Sequence, residues 1–382
     1  MITQQLVESS RWPVKALGDV VDFLDSQRRP VTENFRARGE YTYYGANGPQ
    51  GTIDQYLFDE STILLAEDGG FFGQAGRTVA YQVDGRYWVN NHAHVLRPRA
   101  EADIRFLCRQ LEYYDLTPFV NGTTRAKLTK GNAERIPVAL PPLVEQKRIA
   151  AILDKADAIR RRRQEAARLA DTLIPSVFYE MFGDSVLNRK GWPTRPLGDM
   201  LDFLTSGSRG WAAFYANSGR MFRRIQNVGR NRLLLDDVQY VQVEDSAESR
   251  RTATQAGDVL VTVTADLGRT AVIPEGFGPA HINQHIVLLR STQIEPLFLS
   301  QFLASPAGQR QFTAKNRAAV KAGLNFDDIK SVKIVTPPRP LQKKFAQACL
   351  RIERFAADLV GRQEASDTFF NALVQRAFRG EL

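Results

Sequence analysis

The sequence predicts an α+β protein made of two copies of one module, each with a mixed α/β globular part followed by a long helix. The first observation is an internal repeat, in which residues 12–24 return as residues 192–204 with eight identities in 13 positions. The second is an apolar, β-branched segment in each copy, at residues 61–66 and 258–263, which is typical of a buried strand. The third is a heptad spacing of apolar residues at the end of each copy, which is typical of a coiled-coil helix.

The composition is that of a protein with packed cores. The 382 residues allow two or three domains, and 43% hydrophobic with 24% charged residues excludes wholesale disorder. No apolar run approaches the roughly 20 residues of a membrane helix, and the polar N-terminus lacks the apolar stretch of a signal peptide, so we expect a cytoplasmic protein. Cys108 and Cys349 sit among apolar residues, which predicts buried free thiols.

The positive charge is unevenly distributed along the chain. The net charge of +9 suggests a polyanionic partner. Residues 1–140, however, contain 16 Lys or Arg and 17 Asp or Glu, which leaves them a net charge of −1. A nucleic-acid surface in this first part must therefore come from local segregation of charge.

Landmarks later in the chain extend the repeat and keep its order. Two copies are too few for a solenoid, so the ordered blocks indicate a tandem duplication that has diverged. The matched segments are Asn90-Asn91-His92 with Asn283-Gln284-His285, Pro141-Pro142 with Pro337-Pro338, and Gln146-Lys147-Arg148 with Gln342-Lys343-Lys344.

Each copy ends in a predicted coiled-coil helix. The first runs without interruption from the double proline to about Met181, although Pro175 should kink or shorten it. We interpret the double prolines as helix starts, since proline is tolerated in the first turn. The offset of 196 between the copies is a multiple of seven, so both helices share one heptad phase. The predicted seam consists of Ile149, Ile152, Ala156, Ile159, Phe345, Ile352, Phe355 and Leu359.

The sequence lacks the motifs that an enzyme acting on DNA by itself would need. Neither double proline has the preceding acid or amide and the following aromatic residue with which an adenine methyltransferase holds its target amine. No phosphate-binding loop with its lysine and no dinucleotide fingerprint is present. Glu145 and Lys147 resemble part of a nuclease site, but no paired acidic strand residue precedes them. We therefore expect no catalytic residues.

The histidines do not form a recognisable metal site. His92 and His94 should share one face of a strand, and His281 and His285 lie four residues apart, but neither pair has a convergent third ligand. We expect histidines that make structural hydrogen bonds, and no metal.

Basic residues are concentrated in two kinds of segment. The loops at residues 121–132 and 315–325, ahead of each double proline, mix Lys and Arg with Asn, Thr or Gly, which suits phosphate contacts; a solvated loop is the alternative. The run Arg160–Arg163 lies inside the first helix, where consecutive side chains point around the axis. It is either a solvated surface or a contact for the DNA backbone or an acidic partner.

The segment Pro141–Ala150 closely resembles the boundary motif of the specificity subunit of type I restriction–modification systems. The repeated Trp-Pro-x-x-x-Leu-Gly-Asp blocks resemble the starts of that family's target-recognition domains. Phe182–Asp184 is similar to the family's junction after the first helix, and Phe378–Leu382 to its usual C-terminus. The resemblance covers almost the whole chain, and the second boundary departs from it at residues 340–342.

The resemblance implies four segments in a fixed order. Residues 1–140 would be target-recognition domain 1, residues 141–182 the first conserved spacer helix, residues 183–336 target-recognition domain 2, and residues 337–382 the second conserved spacer helix. It also implies that the two mixed α/β domains are related by pseudo-twofold symmetry and that the two helices pack as an antiparallel coiled coil.

The function that the resemblance implies is that of a non-catalytic reader of a bipartite, asymmetric DNA target, with one domain for each half-site. The implied partners are double-stranded DNA, two methyltransferase subunits and two endonuclease/translocase subunits. S-adenosylmethionine, ATP and Mg²⁺ would belong to those partners and not to this chain.

For DNA contacts we expect Arg and Lys of loops, because Arg pairs bidentately with guanine and both residues bind phosphates. Two other functions compete with this one. A coiled-coil scaffold with protein-binding heads would explain the near-neutral first part, and a self-sufficient DNA methyltransferase or nuclease is disfavoured by the missing motifs. The candidate DNA-binding residues are Arg77, Arg125, Lys127, Lys130, Arg209, Arg223, Arg224, Arg269 and Lys321.

Overall fold

The computed structural model describes residues 1–74, 77–122, 126–316 and 323–382. The chain forms two compact units, one of residues 1–165 and 360–382 and the other of residues 166–359. The chain therefore leaves the first unit once and returns to it, and each unit contains part of both long helices. The division into four segments after residues 140, 182 and 336 concerns the repeat and stays a prediction.

In the described part of the first unit, one sheet has the strand order β2-β9-β6-β7, a second has the order β4-β3-β8-β5, and β1 pairs with β10. Its strands are β1 (Val14–Ala16), β2 (Val21–Phe23), β3 (Tyr41–Gly45), β4 (Gly48–Ile53), β5 (Phe58–Asp59), β6 (Thr62–Ala66), β7 (Ala80–Val83), β8 (Arg86–Val89), β9 (Ala93–Pro98) and β10 (Pro137–Ala139). Its helices are α1 (Gln4–Glu8), α2 (Leu17–Val20), α3 (Ile104–Tyr113), α4 (Lys130–Glu134) and the first part of α5 (Leu143–Ala170), with 3₁₀ turns at Asp25–Gln27, Glu33–Phe35 and Thr117–Phe119.

In the described part of the second unit, one sheet has the order β12-β19-β16-β17, a second has the order β13-β15-β14-β18, and β11 pairs with β20. Its strands are β11 (Thr194–Pro196), β12 (Phe203–Ser206), β13 (Tyr215–Ala216), β14 (Arg220–Arg223), β15 (Gln239–Val241), β16 (Val259–Thr262), β17 (Thr270–Val272), β18 (Ala280–Ile282), β19 (Ile286–Arg290) and β20 (Lys333–Val335). Its helices are α6 (Leu173–Phe182), α7 (Ala247–Thr252), α8 (Pro296–Ala304), α9 (Pro306–Lys315), α10 (Phe326–Lys330) and the first part of α11 (Arg339–Arg379), with 3₁₀ turns at Leu197–Met200, Trp211–Phe214 and Ile225–Asn227.

The two central strands predicted from apolar runs are confirmed. Every residue of β6 and every residue of β16 is buried. Each strand lies between two antiparallel neighbours, and the cores of the unit cover both faces. A strand buried on both faces needs a continuous apolar run rather than an alternating one, which is the pattern that the sequence shows.

The repeat is visible in equivalent hydrogen bonds. The His92 N–H donates to Asn90 Oδ1 at 2.8 Å, and the His285 N–H donates to Asn283 Oδ1 at 3.1 Å. These side-chain-to-backbone turns precede β9 and β19, so the alignment of the two Asn-x-His segments is confirmed. The expectation that His92 shares a strand face with His94 is wrong, because the asparagine holds His92 in the turn before the strand.

The opening block of each copy lies beside the strand that precedes the double proline. In the first copy, β1 pairs with β10, and the Leu140 N–H donates to the Pro13 carbonyl at 2.7 Å. In the second copy, β11 pairs with β20, and the Thr336 N–H donates to the Pro193 carbonyl at 2.7 Å. The Trp-Pro block and the double proline are therefore the two sides of one short ribbon, although they stand far apart in the sequence.

The long helices differ from the uninterrupted pattern of the sequence. Both double prolines are followed directly by a helix, as predicted. The first helix, however, stops at Ala170, and a second begins at Leu173. Pro175 explains the break, because proline lacks an N–H and its ring collides with the carbonyl four residues earlier, at Asp171. The long helix of the second copy, α11, has a proline only in its first turn, Pro340, where proline is tolerated, and it runs unbroken for 41 residues.

No helix among the described residues is long and apolar enough to cross a membrane. Both cysteines are free and buried, as the sequence predicts. Burial raises the pKa of the Cys108 thiol and of the Cys349 thiol to about 12, so both stay protonated at neutral pH.

Within the first unit the two long helices run antiparallel. The Arg148 side chain donates to the Leu382 carbonyl at 2.8 Å, and the Arg163 side chain donates to the Arg362 carbonyl at 3.3 Å. The partner number falls as the number on α5 rises, which is the signature of opposite directions.

The buried stripe of these helices is not the predicted heptad seam. Of the seam residues, Ile149 and Phe345 are completely buried, and Ile152, Ala156, Ile352 and Leu359 are partly buried. Ile159 and Phe355, in contrast, are 44% and 52% exposed, which corrects the prediction for these two. For Ile159 the reason is that α5 packs its buried stripe onto the globular core, at the 3.6-residue period of a single helix. Within the first unit, the buried residues of α5 are Gln146, Ile149, Ala150, Leu153 and Asp157.

A buried glutamine attaches the long helix of the first copy to its globular part. Gln146 is completely buried, and its Nε2 donates to the Pro141 carbonyl at 2.7 Å and to the Glu101 carbonyl at 2.8 Å. Its Oε1 accepts the Asp103 N–H at 2.7 Å, at the N-cap of α3. One amide thus satisfies three backbone groups that the helix start would otherwise bury without partners.

The second copy makes the same attachment. Gln342 is buried, its Nε2 donates to the Pro337 carbonyl at 2.8 Å, and its Oε1 accepts the Glu295 N–H at 3.0 Å, at the N-cap of α8. The glutamine six residues into each double-proline motif is therefore a structural clamp, and we refer to Gln146 and Gln342 as the glutamine clamps.

The clamp leads to a stability prediction. Gln146→Glu replaces an amide donor with a carboxylate that faces two carbonyl oxygens, and we expect it to lower the free energy of unfolding by about 3–5 kcal/mol, as for an uncompensated buried charge. Urea denaturation of the full chain at neutral pH measures the change. Gln164→Glu makes the same substitution at an exposed position of the same helix and should change stability by less than about 0.5 kcal/mol; equal effects of the two variants would contradict the clamp.

Candidate nucleic-acid interface

The basic loops ahead of the double prolines attach to equivalent places in the two units. The Leu128 N–H donates to the Glu67 carbonyl at 2.7 Å, and the Leu324 N–H donates to the Val263 carbonyl at 3.0 Å. Both acceptors directly follow a central strand, β6 or β16. Each loop therefore crosses the end of its unit's buried sheet, where its side chains can reach a ligand.

Two candidate residues of these loops lie outside the described residues. They are Arg125, within residues 123–125, and Lys321, within residues 317–322. The described part of each loop forms one more contact with the segment after the central strand, between Asp68 and Lys127 in the first unit and between Thr264 and Gly323 in the second.

The histidines of the repeat also sit at this end of the sheets. His92 Nδ1 lies 3.5 Å from Asp68 Oδ2, and His285 Nδ1 lies 2.7 Å from Thr264 Oγ1. The equivalent histidines therefore have different neighbours: an acidic side chain in the first unit and a neutral hydroxyl in the second. The two loop ends differ in charge while sharing a backbone arrangement.

A polar network supports the interface in the first unit. His94 is buried, with Nδ1 at 2.6 Å from Asp25 Oδ2 and Nε2 at 2.8 Å from the Leu128 carbonyl. Arg28 donates to Glu67 Oε2 at 2.6 Å and lies 3.4 Å from Asp25 Oδ2. His94 makes the hydrogen bonds predicted for it and connects the base of the basic loop to the sheet.

The acidic residues of this network are neutralised by protein groups. Burial by itself would raise the pKa of Asp25, but the hydrogen bond and charge of His94, the Val95 N–H and the Arg28 charge together lower it. Ligand atoms of Asp25, Glu67 and His94 lie within 4.8 Å of one another, which would suit a small cation. The Arg28 guanidinium already supplies the positive charge there, and both ring nitrogens of His94 are engaged.

The described candidates of the first unit lie at the surface beside aromatic or acidic partners. Arg77 lies over the Phe71 ring, 4.6 Å from its centroid. Lys127 Nζ is 3.2 Å from Glu67 Oε1, and Lys130 Nζ is 3.7 Å from Glu134 Oε1. Because surface ion pairs of this kind contribute little to stability, these cations can exchange their partners for phosphates at small cost.

The other described candidates of the second unit are one exposed and two partly buried arginines. Arg209 is exposed just before the 3₁₀ turn at Trp211–Phe214. Arg224 Nη2 is 2.9 Å from Asp237 Oδ2, and Arg269 pairs with Asp266. The three residues lie on separate segments of the unit: before the turn at Trp211–Phe214, directly after β14, and directly before β17.

Arg223 differs from every other described candidate. We expected a loop residue, but Arg223 is the last residue of β14 and is completely buried. In this conformation its side chain reaches neither a base nor a phosphate. Its neighbour Arg224 follows the strand and is partly buried, with a side chain that is 22% exposed.

Sequence reasoning missed Arg28 and Glu67, as well as the aromatic cluster of the second unit. Arg28 and Glu67 are 39 residues apart and meet only in the fold. In the second unit, Trp211 stacks on His281 with a centroid distance of 5.0 Å and packs against Phe222 at 5.2 Å. The signal for this cluster was the density of aromatic residues at 211–222.

Comparison with known proteins supplies the family. A family model described as the type I restriction modification DNA specificity domain matches twice, at residues 9–168 and 189–362. A Haemophilus influenzae protein assigned as a type I restriction enzyme specificity subunit is 27% identical over 364 residues, which are 92% of this chain and 90% of that one. The type I restriction enzyme MjaVIII specificity subunit of Methanocaldococcus jannaschii is 19% identical over 376 residues, which are 90% and 86%.

A solved structure shares the fold. The crystal structure of the type I restriction–modification S subunit from M. genitalium matches with a TM-score of 0.60 and 13% identity over 97% of this chain and 96% of that one. Two specificity domains in one chain, each followed by a long helix, define a class of DNA-recognition subunits. The chain belongs to the family of type I restriction–modification specificity subunits.

The aromatic cluster leads to a pH prediction. Burial, and to a smaller extent the charge of Arg220, lowers the pKa of His281 to about 4. The unfolded chain has a histidine pKa near 6.5, so the stability that depends on neutral His281 is complete above pH 6.5 and lost as the pH falls toward 4. We expect a loss of about 3 kcal/mol for the second unit over this range.

Urea denaturation at several pH values, followed by tryptophan fluorescence, measures this loss. His281→Phe removes the titrating group, and its stability should change much less between pH 6.5 and 4. The same pH dependence in both proteins would contradict the assignment.

Proposed function

We propose that this chain reads a bipartite, asymmetric DNA target, with one unit for each half-site, and that it performs no chemistry itself. The observation that supports this proposal most directly is the pair of equivalent loop ends. They share a backbone arrangement but carry Asp68 and Lys127 in one unit and Thr264 and Gly323 in the other. Two domains that bind different DNA sequences in the same manner need the same backbone arrangement with different side chains.

The two units would bind DNA through side chains of their loops. Phosphate contacts position a protein on the duplex and base contacts specify the sequence. In the first unit the half-exposed Lys127 and Lys130 carry positive charge at the loop end, although residues 1–140 have a net charge of −1. These two lysines would supply the phosphate contacts of a unit that has no overall positive charge.

Catalysis would belong to partner subunits, two methyltransferases and two endonuclease/translocases, which would also hold S-adenosylmethionine, ATP and Mg²⁺. The long helices offer surfaces for such partners, because large apolar side chains on them face solvent. In the first unit these are Ile159, Val360 and Phe369, and in the second they are Leu169, Leu350 and Phe355.

The most informative experiment compares DNA methylation at single-molecule resolution in cells with and without the gene, in the presence of the partner subunits. We expect one bipartite motif to lose its methylation when the gene is removed. If the purified chain with methyltransferase partners binds no DNA, a coiled-coil scaffold replaces this proposal. If the chain alone methylates or cuts DNA, it is an enzyme.

Exchange of residues 1–140 for the corresponding part of another family member tests the assignment of one unit to one half-site. We expect the methylated motif to change in one half and to keep the other half, because the second unit has its own sheets, core and loops. The reciprocal exchange of residues 183–336 is the matched control and should change the opposite half. A change of both halves in either chimaera would contradict independent reading.

A further inference from the structure

A buried positive charge in the second unit has almost no partners. Arg223 is 0% exposed, and neither its Nε nor its Nη1 has a hydrogen-bond acceptor. Its Nη2 makes one weak contact, 3.6 Å to Met221 Sδ, and the ring centroid of Phe277 lies 4.9 Å from the guanidinium carbon. No acidic side chain of the described residues lies within ion-pair distance of it.

Such a group is expensive to bury. An unpaired charge in a protein interior costs several kcal/mol of desolvation, and a cation–π contact returns about 2 kcal/mol. Burial also lowers the pKa of the Arg223 guanidinium. Since the fold gains so little from this side chain, its presence needs another reason.

The first unit shows that the fold does not require an arginine here. Arg223 pairs with Ile282 on a parallel neighbour, and its carbonyl accepts the N–H of Asn283 at 3.1 Å. Tyr44 occupies the same position of the first unit, since it pairs in parallel with Val89 and its carbonyl accepts the Asn90 N–H at 3.0 Å. The two asparagines are equivalent members of the repeat.

Tyr44 is partly buried at that position and packs against the core. It packs against Tyr81 and Tyr87 with centroid distances of 5.9 and 6.0 Å. One module therefore places a neutral aromatic ring where the other holds an unpaired cation. This difference between Arg223 and Tyr44 gives the two modules different chemistry at an equivalent position, as two domains with different DNA half-sites require.

The aromatic ring over Arg223 comes from a loop that connects the two sheets of the second unit. Phe277 lies between β17 and β18, and its neighbours Gly276 and Gly278 are exposed and have φ angles of +75° and +66°. Glycine adopts this left-handed conformation without steric penalty. A ring held between two glycines can turn away without disturbing either strand.

We propose that Arg223 is a covered DNA contact of the second unit: Phe277 shields it in the free protein, and on binding the ring moves aside so that the guanidinium meets a hydrogen-bond acceptor of the DNA. The acceptor is a phosphate oxygen or the O6/N7 edge of a guanine, both of which suit the planar fork of arginine. This inference rests on the proposed function and assigns one residue of its second reader.

The test uses the full chain with its methyltransferase partners and a duplex that contains the motif identified by methylation mapping. Arg223→Tyr introduces the residue of the first unit, and we expect it to weaken binding about tenfold or more without lowering the unfolding temperature. Arg220→Tyr removes an exposed arginine of the same strand and is the matched control, for which we expect a change of less than about threefold. Wild-type affinity in Arg223→Tyr would overturn the inference and leave the proposed function intact, whereas absence of binding by the wild-type chain would overturn both.

The same variants distinguish the two acceptors. A phosphate contact predicts equal weakening on target and unrelated duplexes, with a salt slope smaller by about 1. A guanine contact predicts weakening on the target alone. If Arg223→Tyr fails to fold, Arg223→Lys replaces it: about tenfold weaker binding by the folded lysine variant supports a two-pronged contact, and unchanged affinity refutes it.

The cover is tested by Phe277→Ala. We expect faster association with the target, because uncovering no longer precedes the contact, and no such acceleration when Phe277→Ala is combined with Arg223→Tyr. Acceleration that persists in the double variant would show that Phe277 acts independently of Arg223 and would overturn the covering role.

Discussion

The glutamine clamp is the interaction on which the arrangement of each module depends. A long helix that starts beside a globular domain buries polar groups of the chain at its first turn, and such groups must find partners. Gln146 and Gln342 supply them with one amide each, and they fix the helix start against the N-cap of a second helix. The direction of the long helix relative to its own sheet follows from this contact.

The clamp leaves the loops at the far end of the sheets free to vary. The strand order of the sheet that contains the central strand and the backbone attachment of the basic loops are the same in both units. Side chains nearby differ, with Thr264 in the place of Asp68 and Arg223 in the place of Tyr44. The two units thus share their residues at the helix start and their buried central strands, and they differ in the side chains at the loop ends. A recognition protein that is duplicated and then diverges requires this separation.

The sequence predicted the features that depend on local patterns. The duplication, the central strands β6 and β16, the helix starts after Pro142 and Pro338 and the break near Pro175 all follow from spacing or backbone chemistry that neighbouring residues display. It failed where tertiary packing decides: Ile159 has the correct heptad position, yet the stripe that packs onto the core takes Leu153 and Asp157 instead. The burial of Arg223 was equally invisible, because it depends on Phe277, 54 residues away.

The division of the chain has a consequence for the order in which the protein is made. Residues 166–359 are continuous, so the second unit can fold as soon as they leave the ribosome. The first unit is synthesised first but completed last, since its core needs Phe370, Val374 and Phe378 from the final helix. Until then Phe106 and Tyr113 of α3 lack their ring contacts with Phe378 and Phe370. A module that is made early and completed late is exposed to misassembly for the longest part of synthesis.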